Sequence, residues 1–171
     1  MALLINLGVE KISISSAAIE NPELINQISE TIGRQSLVCV LDVKKVKNFL
    51  KPDYIVTSHN STKLHKLNPV NVIKEFQERG AGEIVINSVD MDGSMAGYDM
   101  NLVKLVKNIT SVPFTFIGGA RNYNDMLDLI KNFGLVGCGA GSLFVLKGKY
   151  RSVLISYPSQ EEKLIFRVQS I

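Results

Sequence analysis

The sequence predicts an α/β fold, a parallel sheet covered by helices in the manner of a (β/α) barrel, and three observations lead there. Short apolar runs of strand length alternate with longer segments whose apolar residues recur at helical spacing. The candidate strands are almost continuously apolar, as in sheets covered on both faces. The strings "GVEKISIS", "GAGEIVINS" and "GLVGCGAGS" repeat one plan: a glycine at a helix end, a short link, then a strand finishing in small polar or glycine residues. The alternation calls for a parallel sheet with right-handed crossovers, and the repetition favours a barrel over an open Rossmann-type sheet.

Taken in order, strands are expected at 11–15 ("KISIS"), 36–41 ("SLVCVL"), 83–88 ("EIVINS"), 113–117 ("PFTFI") and 135–139 ("LVGCG"), with helices near 21–33, 69–79, 99–110 and 122–133. Pro22 and Pro69 sit at or near helix starts, where a fixed φ and a missing donor cost least. Gly33, Gly80 and Gly134 fall where helices need a C-terminal glycine. The insert over about 43–68 has no strong helix pattern, and its "DYIVTS" can pair with "VKKVKNF" as a small hairpin over the barrel mouth. In the tail, "YRSVLISYP" is compatible with strand or helix. The reading is one domain over 1–171, a partial barrel, because five strands do not close an eight-stranded one. Its unpaired sheet edges should drive pairing or aggregation.

Composition narrows the function. With 171 residues, 46% of them hydrophobic and 20% charged, the chain can bury a sizeable core. A net charge of +3 with scattered Lys and Arg gives neither a nucleic-acid footprint nor a membrane patch, though it suits small anionic substrates. Cys39 and Cys138 lie in apolar runs and read as buried structural thiols. No signal peptide or membrane span is legible, so a reducing cytoplasm is the expected compartment.

In a barrel the reactive groups sit where strands end at the C-terminal face. Those positions are Asp42; Asp90, Asp92, Gly93 and Ser94; Gly118, Gly119 and Ala120; and Gly141 with Ser142. Strand-end glycines before helices can expose backbone N–H groups to a phosphate, or can serve a tight turn. "DMDGSMAGYD" is not an EF-hand: its glycine is at the fourth place and the required glutamate is missing. It reads instead as a catalytic-face loop, in which Asp90 or Asp92 orients substrate hydroxyls, Gly93 and Ser94 donate, and Asp99 caps the next helix. Turn chemistry is the other reading of Asp92. Asp42 is the sharper acid/base candidate, expected to face an apolar wall that raises its pKa, against the alternative of a solvated strand-end aspartate. His59 and His65 lack partners at metal spacing and read as solvated loop residues, so no metal or other cofactor is expected.

The strings "GVEKISISSAAIENPELI", "VCVLDVKKV", "RGAGEIVINSVDMDGSMAGYD", "VPFTFIGGA" and "GAGSLF" together resemble, in order from about residue 3 to 146, the cyclase subunit of imidazole glycerol phosphate synthase, the HisF family. The resemblance covers the last five strands of a TIM-type (β/α)8 barrel. It implies a lyase or cyclase of histidine biosynthesis that takes ammonia from a glutamine amidotransferase partner, without cofactor. Its phosphorylated substrate, a phosphoribosyl bisphosphate intermediate, yields imidazole glycerol phosphate and an aminoimidazole carboxamide ribonucleotide.

By the same resemblance Asp42 is one of two acid/base aspartates. Asp92, Gly93, Gly119, Gly141 and Ser142 hold one phosphate, and Ser15 and Ser16 the other, where Asn-Thr is more usual. Asn87 stands on the substrate face in place of threonine. Lys11 and Glu83 form part of a charged gate for ammonia at the barrel bottom.

The family's other catalytic aspartate belongs to strands absent here, so two-aspartate catalysis is not expected of the chain alone. Ile117 stands where serine is usual and Arg121 where glycine is usual. The tail is more similar to a sister branch associated with amidation of bacterial surface sugars. Two alternatives follow: an ammonia-supplying protein of that branch, or a half-barrel that binds phosphate without catalysis.

Overall fold

The computed structural model describes residues 2–46 and 53–168. Five parallel strands form the frame: β1 (Ile12–Ile14), β2 (Leu37–Val46), β5 (Glu83–Ser88), β6 (Phe114–Ile117) and β7 (Gly137–Cys138), each paired with the next in that order. The helices between them are α2 (Ser16–Glu20) and α3 (Glu23–Ile32), then α4 (Pro69–Glu78), α5 (Met100–Lys107) and α6 (Tyr123–Phe133). A short α1 (Ala2–Asn6) precedes them. The βα alternation expected from the sequence is therefore present, and it is a partial (β/α) barrel: among the described residues β1 and β7 each pair on one side only.

The expected hairpin is also there. The last part of β2 pairs antiparallel with β3 (Asp53–Ser58), from Asp42 opposite Thr57 to Val46 opposite Asp53. A third strand, β4 (Lys63–His65), continues it. This pairing is why β2 runs to Val46 and not to residue 41. Residues 47–49 of the predicted hairpin partner lie outside the described residues. β1 and β3 lie along the same edge of β2, one after the other.

Other boundaries move for local reasons. The helix expected near 21–33 is present as α3, with Pro22 at its N-cap, and an unexpected short helix, Ser16–Glu20, forms its own turn before it. β7 shrinks to two residues, and Leu135 stands 87% exposed outside it. In the tail, β8 (Leu146–Lys147) and β9 (Ser152–Val153) form a second hairpin after the four-residue α7 (Ser142–Val145), and α8 (Gln160–Val168) follows.

Burial alternates along the strands, which corrects the expectation of two equally covered faces. Leu41, Val43, Ile84, Ile86, Phe114 and Phe116 are buried in one core with Val72, Ile73, Phe76, Leu102, Val106 and Leu129 from α4, α5 and α6. The alternate set, Val40, Asp42, Val85, Asn87, Thr115 and Ile117, is half-buried on the opposite, concave face. A closed barrel would cover that face; here it carries the polar strand ends.

Candidate active site

Parallel register sets the site. Asp42 pairs with Asn87 across β2 and β5, and Asn87 with Ile117 across β5 and β6, so these side chains share the concave face at one end of the sheet. Asn87 Nδ2 donates to Asp42 Oδ1 at 2.9 Å. The other amide atom, Asn87 Oδ1, is buried with no hydrogen-bond partner. A cavity of about 410 Å³ opens here, lined by Asp42, Asn60, Ser61, Asn87, Val89 and Asp92. Its wall is mostly polar, so the apolar wall expected around Asp42 is absent.

The hairpin supplies two lining residues that the sequence reading passed over. His59, Asn60 and Ser61 have φ of 52°, 54° and 65°, a run of left-handed residues in which none is glycine. The turn is held from both sides. The His59 N–H donates to Ser16 Oγ at 3.0 Å, and Thr57 and Ser61 share a hydroxyl contact of 3.3 Å. Glu20 binds Lys63 at 2.8 Å and His59 Nε2 at 2.9 Å. Those two hydrogen bonds, Lys63 first, hold the Glu20 carboxyl down at about 2. His65, expected to be solvated, is instead a strand residue whose Nε2 contacts the buried Ser58 hydroxyl at 2.7 Å. Ser15 and Ser16 stand at the end of β1, on the far side of Asp42 from the glycine loops.

The acidic loop divides its labour. Asp90 Oδ2 accepts the Lys45 N–H at 2.6 Å, tying the loop to the extended β2; of the two acids expected to orient hydroxyls, Asp92 is the one that lines the cavity. Asp92 lines the cavity, its N–H donating to Ser88 O at 3.0 Å. Gly93 has φ of 71° and open space where a Cβ would lie. Ser94 Oγ accepts from Ala96 N–H at 3.2 Å, closing the turn. Asp99 caps α5 as expected, accepting from Asn101 and Leu102 N–H groups at 3.1 Å, and also takes the Tyr54 hydroxyl at 3.0 Å. Burial, then the Asp99 charge, push the Tyr54 phenol well above its usual range.

The loops after β5, β6 and β7 are zipped together. The Gly97 N–H donates to Gly119 O at 2.8 Å, and Tyr98 OH to Gly139 O at 2.9 Å. Gly118 and Gly119 have φ of 97° and 102°; a Cβ on the first would strike Ser88 O at the end of β5, and one on the second would strike Gly97 O in the acidic loop. Close packing therefore accounts for these two glycines whether or not a ligand binds. Gly141, just before Ser142 at the start of α7, leaves open space at its Cβ position.

At the opposite end of the sheet, Lys11 Nζ pairs with Glu83 Oε2, and Thr115 Oγ1 donates to Glu83 Oε1 at 3.0 Å. Among the described residues no cluster of His, Cys, Asp or Glu could hold a metal ion, and no helix is long and apolar enough to cross a membrane. Cys39 and Cys138 are free thiols, Cys39 buried and Cys138 half-buried.

Comparison with known proteins places this geometry. The family model described as "Histidine biosynthesis protein" matches residues 1–151. A Leptospira interrogans protein provisionally named imidazole glycerol phosphate synthase subunit HisF is 46% identical over 160 residues, which is 94% of this chain and 62% of that protein. A Vibrio vulnificus protein with the same kind of provisional name is 48% identical over 160 residues, 94% of this chain and 61% of its own. The imidazole glycerol phosphate synthase subunit HisF of Natranaerobius thermophilus is 35% identical over 144 residues, 84% of this chain and 56% of its own. The chain thus spans about three fifths of the length of these relatives. Matched over most of its length by that family model, the chain belongs to the histidine biosynthesis protein family.

Proposed function

We propose that the chain supplies one acid/base aspartate and one phosphate-binding end of an imidazole glycerol phosphate synthase cyclase site. The observation that carries the reading is the Asp42 carboxylate, held by the Asn87 amide in a polar cavity beside the acidic and glycine loops. Family membership and the names of the relatives support it; those names lend nothing to the sugar-amidation or binding-only alternatives.

In this reading the substrate is a phosphoribosyl bisphosphate intermediate. Gly93, Gly119, Gly141 and Ser142 hold one phosphate through N–H and O–H donors, with Asp92 orienting a neighbouring hydroxyl. Ser15 and Ser16 meet the other phosphate across Asp42. A glutaminase partner docks at the opposite end and delivers ammonia past Lys11 and Glu83, along the concave face and Val85, toward Asp42.

Ammonia attack and ring closure require protons to leave nitrogen and enter the departing groups. Asp42 gives and takes them at its carboxylate oxygens; such positioned acid/base help is worth roughly 10²–10⁴-fold in rate. Release of the carboxamide ribonucleotide makes the reaction a lyase step. The family scheme pairs Asp42 with a second aspartate on strands outside this sequence, so turnover is assayed in protein that contains both. A reducing cytoplasm suits the two free thiols.

The test is to feed ammonium and the bisphosphate intermediate and to follow both products by chromatography. Equal formation of imidazole glycerol phosphate and the carboxamide ribonucleotide is expected; formation of neither refutes the reading.

A further inference from the structure

We propose that the β8–β9 hairpin is an anion clamp over the phosphate end of the cleft, with Arg151 as its contact residue and a phosphate monoester as the ligand. The inference rests on the reading of the Gly93, Gly141 and Ser142 loops as a phosphate cradle. It adds a charged side chain that the backbone cradle lacks.

The hairpin is built out of the cradle itself. Gly141 leads into α7, and the strands that follow return to it: Leu154 N–H donates to Val145 O at 2.9 Å and Ser156 N–H to Phe144 O at 2.7 Å. At the tip, Arg151 N–H donates to Gly148 O at 3.1 Å, closing a turn over Gly148–Arg151. Arg151 is held there at φ of 49°, a conformation sparsely populated by non-glycine residues.

The Arg151 side chain crosses from this turn to the loop after β5, where Nη1 lies 3.5 Å from Gly93 O. A contact that long is weak, so the guanidinium lies beside the loop without being spent on it, and its other donors face a ligand there. Neither Gly93 nor Gly141 has an atom within 4 Å of its Cβ position, which leaves room for a ligand between them and the tip.

Electrostatics gives the arm a purpose. Asp42 and Asp92 line the cavity and Asp90 braces the same loop, so a phosphate arriving there meets carboxylates. Arg121, on the loop after β6, is already bound to Asp125 through its guanidinium at 3.1 Å. Lys147 and Lys149 are exposed on the hairpin with Arg151, and among the described residues no ion pair involves any of the three. The family match ends at residue 151, on the tip of the hairpin, so the second strand of the arm lies beyond what the family model describes.

The test is calorimetric titration of inorganic phosphate into the full chain and into Arg151→Ala, Arg151→Lys and Gly141→Val, with circular dichroism to show that each is folded. Arg151→Ala should weaken phosphate binding about tenfold and flatten its dependence on salt, because a guanidinium–phosphate contact is screened. Arg151→Lys should recover part of the affinity, since an ammonium keeps the charge but not the fork. If Arg151→Ala binds like the parent while Gly141→Val has lost binding, the clamp is wrong and the cradle stands. If the parent chain itself takes up no phosphate, the cradle and the clamp both fall.

Discussion

Replacing Asn87 with alanine should slow turnover far more than it destabilises the fold. The substitution removes a hydrogen bond of 2.9 Å to the Asp42 carboxylate, of a charge-assisted kind worth about 1.5–3 kcal/mol. It also removes Oδ1, which is buried without a partner; leaving such an atom unsatisfied costs about 1–3 kcal/mol, and that cost disappears with it. Freed of the amide, Asp42 faces a polar cavity that water can enter. The stability terms therefore cancel to within about 1 kcal/mol, a Tm shift of roughly 2–4 °C for a chain of this size. Catalysis has no such compensation. A carboxylate no longer held in place forfeits the same 1.5–3 kcal/mol at the transition state, roughly a 10- to 150-fold fall in kcat with KM little changed. The assay, in protein that carries both aspartates, is steady-state turnover with ammonium beside thermal melting of the same samples. A kcat within twofold of the parent would refute the positioning role, and a Tm loss beyond about 8 °C would refute the cancellation.

Further predictions draw on other parts of the molecule. Glu83→Gln breaks the ion pair with Lys11 at the foot of the sheet, so glutamine-fed turnover with the partner should fall several-fold while ammonium-fed turnover holds; equal loss in both assays would remove the gate from the account. Phe116 is 0% exposed and stands edge-on to Tyr98 with ring centres 6.1 Å apart, so Phe116→Ala should cost about 3–5 kcal/mol in urea unfolding. Burial pushes the Cys39 thiol up to about 12 and the Cys138 thiol to about 11 from a usual 9. Both folded thiols keep protons that the unfolded chain releases, so their contribution to stability is complete below pH 9 and is lost as pH climbs through 11 to 12. Melting curves across that range should flatten in Cys39→Ala, and an unchanged slope would contradict the assignment.

What the sequence made legible follows from which forces act locally. The strand Glu83–Ser88 falls on its predicted residues because an apolar run bounded by glycine and acid leaves little choice of register. Asp99 was readable as a cap because a helix start needs a side-chain acceptor, and its two N–H partners are there. The hairpin was readable as a pairing of two β-prone runs, but not the left-handed turn at His59–Ser61, since nothing in "HNS" announces three consecutive positive φ angles. Asn60 and Ser61 escaped notice for that reason: long-range contacts from Ser16 and Glu20 fix His59, and the turn that follows it brings the two residues to the cavity. The apolar wall around Asp42 was a wrong inference from its strand, because the residues beside a strand end come from other loops. Some signals were present and unread. Ser159 and Glu162 form a reciprocal cap at the start of α8, with bonds of 2.7 and 3.2 Å, and the spacing S-x-x-E is visible in the sequence.

The division of labour between Asp42 and the glycine loops is tested most directly by Asp42→Asn, with turnover and phosphate affinity measured on one preparation. Asparagine keeps the shape of the side chain and can still meet Asn87, but it cannot carry a proton between substrate atoms. The account predicts turnover reduced by roughly 10²–10⁴-fold with the affinity for inorganic phosphate unchanged. Turnover that survives the substitution would contradict it, as would a loss of phosphate binding equal to the loss of rate.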